Sequence, residues 1–190
     1  AGRGISMGPD NFLGRAYQAL PIGITVEGAN ILTRNLIIFG QGAIRCHPWL
    51  YREMRAVASG DVVAFDNALR GHASLVMSNL SRGLFHALTG GRLLRAPQHG
   101  VRGCFYRQFA RMSLAFAVTT EMSLVSLGGT LKRRESISGR LGDVLSLLYQ
   151  GSAVLKHHYD NGSPDEELPL LEWACRDLLY NIQLRLHEVL

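Results

Sequence analysis

Apolar positions recur at three- and four-residue steps along most of this chain, the spacing that places them on one face of a helix. Phe105, Phe109, Met112 and Phe116 show it most clearly. Strict alternation of apolar and polar residues never persists for more than a few positions, so the pattern predicts an all-α protein.

Local start and stop signals divide that pattern into elements. Asp10 or Asn11 can cap a short helix running through Ala19, and Pro21 is expected to end it because proline pushes the preceding residue out of helical dihedrals. From Asn30 to Ile44, the positions Ile31, Leu32, Leu36, Ile37 and Phe39 read as a helix with a broad apolar face. Cys46-His47-Pro48-Trp49 reads as a corner before a short helix, Trp49 to Ala58. Ser59-Gly60 stops that helix, and Asp61 caps a long one reaching about Thr89, closed by Gly90 and Gly91. Leu93 to Gly103 is expected to be a loop, followed by a helix from Cys104 to Leu127 that Gly128-Gly129 breaks. Arg133 to Tyr159 predicts another helix. Asn161-Gly162-Ser163-Pro164 is a turn, and Asp165-Glu166-Glu167 puts anionic charge at the start of a last helix, where the dipole favours it.

Two parts are expected from this order. Residues 1–59 read as the end of one helical domain, and residues 60–190 as an antiparallel set of long helices joined by short turns. The start at Ala1-Gly2-Arg3-Gly4 and the amphipathic pattern still running at Leu190 read as a piece of a longer protein. There is no internal repeat and no low-complexity tract.

Composition narrows the class. With 47% hydrophobic and 18% charged residues in 190, the chain is globular rather than disordered. The apolar run Met112 to Gly129 approaches bilayer length. Glu121 inside it would be costly in lipid, which favours a buried core helix. Cys46, Cys104 and Cys175 are sparse and lack metal-ligand spacing, which suits a reducing, cytoplasmic compartment. The +5 net charge is nearly all arginine, with Lys132 and Lys156 the only lysines. Arginine favours bidentate anion binding and buried pairs. The arginines read as scattered and no nucleic-acid motif appears, so nucleic acid is not an expected partner. Lys132-Arg133-Arg134 could touch an anionic membrane surface, giving peripheral contact with the inner face.

The candidate chemistry is sparse. Cys46 and His47 are adjacent and point apart on most backbones, which argues against a nucleophile–base pair. His157-His158 lacks ligand spacing for a metal. His72, His86 and His99 read as surface or satisfied interior histidines. The stretch from Pro21 to Arg34 differs, because a β-branched apolar approach delivers a single carboxylate, Glu27, followed directly by Gly28. Such an acid can be a general base against a substrate carbon, or simply the anionic start of a helix. Gly28 is either a close-approach glycine or a plain turn.

Val26-Glu27-Gly28-Ala29-Asn30-Ile31-Leu32-Thr33-Arg34 resembles the Tyr-Glu-Gly-Thr-x-x-x-x-Arg segment of the acyl-CoA dehydrogenase family. The longer run from Ile24 to Pro48 resembles its large bacterial fatty-acid β-oxidation branch, which carries an extra helical domain after the C-terminal bundle. Gly2-Arg3-Gly4 resembles the family's glycine turn before the base. The resemblance implies that residues 1–59 end that bundle and that residues 60–190 form the extension. It implies FAD as cofactor, fatty acyl-CoA as substrate, an electron-transfer flavoprotein or similar acceptor, and a homo-oligomer. It makes Glu27 the base that removes the α-proton, with its own backbone N–H and a ribityl hydroxyl of FAD stabilising the enolate oxygen. Gly2, Gly4 and Gly28 become cofactor contacts. Ala29 stands where the family has threonine, which leaves that hydroxyl contact without a counterpart here. Arg34 matches the family arginine, with an intramolecular ion pair as its expected duty.

Overall fold

The computed structural model describes residues 8, 12–26, 42 and 44–189. Among the described residues, six helices carry the architecture: α1 (Phe12–Val26), α2 (Leu50–Ser59), α3 (Val62–Leu88), α4 (Gly100–Leu127), α5 (Glu135–Asp160) and α6 (Leu168–Val189). A single helical turn, Ile44–Cys46, precedes α2, and 3-10 turns at Gly128–Arg133 and Asp165–Glu167 lead into α5 and α6. There is no strand among the described residues. The all-α expectation holds.

Several predicted ends coincide with the observed ones for local reasons. Gly60 closes α2 at φ 70°, a left-handed position glycine adopts without strain. Asp61 then caps α3, its carboxylate accepting the Ala64 N–H at 2.9 Å.

Two ends differ from expectation. Pro21 lies inside α1, which continues to Val26. Proline's φ near −65° is itself helical, so a helix can give up one backbone N–H and carry on. The fourth helix starts at Gly100 rather than Cys104. There Gly103 lets the chain approach so closely that a Cβ would lie 2.2 Å from the Gln98 carbonyl oxygen. The glycines that read as loop are therefore the first turn. Gly128-Gly129 ends α4 at Leu127 as expected and turns the chain into a 3-10 turn, with Gly128 at φ 51°.

The main core is built where α4, α5 and α6 face one another. Phe105 and Phe109 from α4 meet Val144, Leu148 and Leu155 from α5 and Leu171, Cys175 and Ile182 from α6. Helix α2 packs on α3, and α3 packs on α4. α4 thus lies between the α2–α3 pair and the α5–α6 pair. It is also the one described helix long and apolar enough to cross a bilayer. Phe105 and Phe109 tie it to the core, and its Glu121 is buried.

Gly151 shows how tight the α4–α5 contact is, since a Cβ there would lie 2.1 Å from the Phe109 ring. Gly151→Ala is expected to lower stability in urea unfolding by about 1–3 kcal/mol through overpacking, despite alanine's better helix propensity. Adding Phe109→Leu should recover part of that loss. A neutral Gly151→Ala would show that the two helices are further apart than described.

Candidate functional site

The corner before α2 is held by a chain of four titratable side chains. His47 Nδ1 accepts the backbone N–H of Leu50 at 2.9 Å and of Trp49 at 3.3 Å. These are among the donors a helix start leaves without an intrahelical partner. A ring nitrogen that accepts an N–H carries a lone pair, so the His47 proton sits on Nε2. From there it is donated to Glu121 Oε1 on α4 at 2.7 Å.

Glu121 uses its second oxygen as well. Oε2 accepts from His72 Nε2 on α3 at 3.1 Å, and His72 Nδ1 lies 2.8 Å from Glu53 Oε1 on α2. With a carboxylate at each nitrogen, both ring N–H groups of His72 donate, which describes an imidazolium. Burial works against that charge, but the hydrogen bonds and charges of Glu121 and Glu53 outweigh it. His72 is therefore held above its ordinary pKa of 6.5. The Glu121 side chain is 9% exposed and His47 10%, so bulk water screens this network little.

A raised pKa fixes the sign of the pH dependence. The stability contributed by protonated His72 is fully present below the unfolded value of 6.5 and is lost as pH rises through the higher folded value. Urea unfolding should show decreasing stability with rising pH across that window, and His72→Gln should flatten the slope. A profile unchanged by His72→Gln would place the titration elsewhere.

The ligand atoms of His47, His72 and Glu121 all lie within 4.8 Å of one another, a donor set a transition metal could use. The hydrogen bonds argue against this. Ligation through His47 Nε2 would move its proton to Nδ1, facing two backbone N–H groups. The 2.7 Å separation of His47 Nε2 from Glu121 Oε1 is that of a direct hydrogen bond. The cluster is a polar clasp joining the corner, α2, α3 and α4.

Around the clasp the packing is apolar. The Trp49 ring presses on α3 at Gly71, where a Cβ would come within 2.5 Å of it, and the Arg52 guanidinium lies 5.1 Å above the ring centroid. A groove of about 330 Å³ between α3 and α4 is lined by Val76, Leu80, Val118, Met122 and Val125, with Glu121 at its margin. Both carboxylate oxygens of Glu121 are engaged by histidine, so it offers the groove no free acid or base.

A buried histidine, His158, serves the other end of α4. Arg102 Nε donates to His158 Nε2 at 3.0 Å. Arginine is always a donor, so His158 is neutral, and its Nδ1–H points to Glu167 Oε2 at 3.3 Å. Arg102 also reaches Ser163 O and Asp165 Oδ1. This locks the start of α4 to the α5–α6 turn.

Glu27, Gly2, Gly4 and Gly28, with Ala29 and Arg34, lie outside the described residues. The groove between α4 and α5 is poorly suited to FAD. It has a volume of about 1020 Å³ and is walled by Phe109, Phe116, Leu145 and Leu148, and its Lys156 is paired with Asp160. A dinucleotide's pyrophosphate needs free donors or cations. Sequence reasoning did not single out His47, His72, Glu53 and Glu121 as a unit. The available signals were a lone acid in the apolar run 112–129 and a histidine just before a helix start.

Residues 44–190 match the family described as "Acyl-CoA dehydrogenase, C-terminal, bacterial type". No solved structure matches the chain.

Proposed function

Because the chain belongs to the acyl-CoA dehydrogenase family, through its bacterial-type C-terminal domain, we propose that it is part of an FAD-dependent fatty acyl-CoA dehydrogenase of β-oxidation. The enzyme converts a fatty acyl-CoA to its trans-2-enoyl-CoA. The observation that carries this reading is the family match over residues 44–190. It is supported by Val26-Glu27-Gly28, a short distance before the matched stretch.

Glu27 is the base in this reading. The α-proton of a thioester is weakly acidic, so its removal needs a positioned carboxylate and a donor for the developing enolate oxygen. Glu27 supplies the first through its side chain and the second through its own backbone N–H. Bound FAD supplies the acceptor for the β-hydrogen, which leaves as hydride while the electrons of the α C–H bond form the double bond. Gly28 and the Gly2–Gly4 turn let backbone approach the cofactor. The His47–Glu121–His72–Glu53 clasp acts at one remove, holding the corner that follows the base segment.

Adding a saturated fatty acyl-CoA anaerobically to the flavin-loaded enzyme should bleach the flavin and yield the trans-2-enoyl-CoA. An acyl-CoA that leaves the flavin oxidised at every chain length would overturn the reading.

A further inference from the structure

Between Asn67 and Thr120 the chain carries seven arginines and no aspartate, glutamate or lysine, more positive charge than the net +5 of the whole protein. Six of the seven lie between residues 82 and 111. This span covers the last two turns of α3, the connecting loop and the first turns of α4, which together form the closed end of the α3–α4 hairpin.

Two of those six are already engaged, Arg102 by Asp165 and Arg111 by the neutral amide of Gln108. Arg82, Arg92 and Arg95 are exposed and have no carboxylate within ion-pair distance among the described residues. Beside them stand large apolar side chains left in water: Leu84, Phe85, Leu88 and Leu93, with Leu88 79% and Leu93 66% exposed. Gly90 and Gly91, both at positive φ, make the bend that carries Leu93 and Arg92 out beyond α3.

We propose that this closed end of the hairpin docks peripherally on an anionic lipid surface. Leucine and phenylalanine enter the headgroup–acyl boundary, while the arginines bind lipid phosphates. Guanidinium suits this better than ammonium, because its fork matches phosphate bidentately and it is weakly hydrated. A nucleic acid would use the arginines but leave Leu88 and Leu93 exposed, so the combination favours lipid. The contact is set apart from the run Lys132-Arg133-Arg134, which lies beyond the far end of α4, and it does not rest on the dehydrogenase reading.

The test is co-sedimentation of the full chain with phosphatidylcholine vesicles, with and without about one-third phosphatidylglycerol. The chain should bind only the anionic vesicles, and less so as salt rises. Arg92→Ala/Arg95→Ala should lower partitioning by roughly 30-fold, about fivefold for each arginine. Leu88→Ser/Leu93→Ser should weaken it at least about tenfold at unchanged salt. Lys132→Ala/Arg133→Ala should leave it unchanged. All four arginine and leucine positions are exposed, so urea midpoints should match the parent and exclude misfolding as the cause. Equal binding to neutral vesicles, no binding to either, or double variants that partition like the parent would overturn the proposal. So would a leucine variant that changes oligomeric state but not vesicle binding, which would assign the face to a second copy of the chain.

Discussion

Glu27→Gln in the flavin-loaded enzyme is expected to slow acyl-CoA-dependent flavin bleaching by about 10²–10⁴-fold, the usual contribution of a positioned general base. Glutamine nearly preserves the shape of the side chain and the backbone N–H but cannot accept the α-proton. Acyl-CoA affinity should therefore change only a few-fold, so the loss falls on the chemical step. Stopped-flow absorbance reads the rate, and a titration at equilibrium reads the binding. An acid that only begins a helix behaves differently, with a loss of stability of about 0.3–1 kcal/mol and intact bleaching. That outcome would remove Glu27 from the chemistry while leaving the family assignment in place.

The second large effect is expected at Glu121. Glu121→Ala leaves the partly buried His72 with one carboxylate instead of two and leaves the His47 Nε2–H without its acceptor. Breaking a buried ionic contact by removing one partner costs about 3–5 kcal/mol, or roughly 6–20 °C in Tm for a chain of this size. Glu53→Gln should cost less, because the His72–Glu121 pair survives it. Thermal unfolding with and without added Zn²⁺ also tests the assignment of the cluster. The hydrogen-bonded clasp predicts no stabilisation by the metal. A rise in Tm with Zn²⁺ that disappears in Glu121→Ala would make the cluster a metal site and contradict the tautomer deduced for His47.

The family was legible as a resemblance in one short run. Val26-Glu27-Gly28 with Arg34, and the glycine turn before them, carried the resemblance, and the match over residues 44–190 agrees with it at the level of the family. The charge block was equally open to view in the sequence. Seven arginines without an intervening acid read as scattered until α3 and α4 folded back on each other and brought Arg82, Arg92 and Arg95 beside Leu88 and Leu93.

What the sequence by itself determined was the helices between residues 50 and 189 and several of their ends, while the helix expected from Asn30 to Ile44 falls almost wholly outside the described residues. Asp61 caps through its own carboxylate, Gly60 turns the chain at positive φ, and Phe105, Phe109 and Phe116 share a face by spacing alone. These signals act within one or two turns, so neighbouring residues suffice to produce them. Pro21, Gly100 and Gly103 were ambiguous locally, because proline's φ is compatible with a helix and glycine can either begin or break one. Only the tertiary structure decided that His47 meets Glu121, 74 residues away. That meeting depends on which helices cross and at what level, which follows from burying whole apolar faces such as Phe109 against Gly151. No spacing along the chain encodes it.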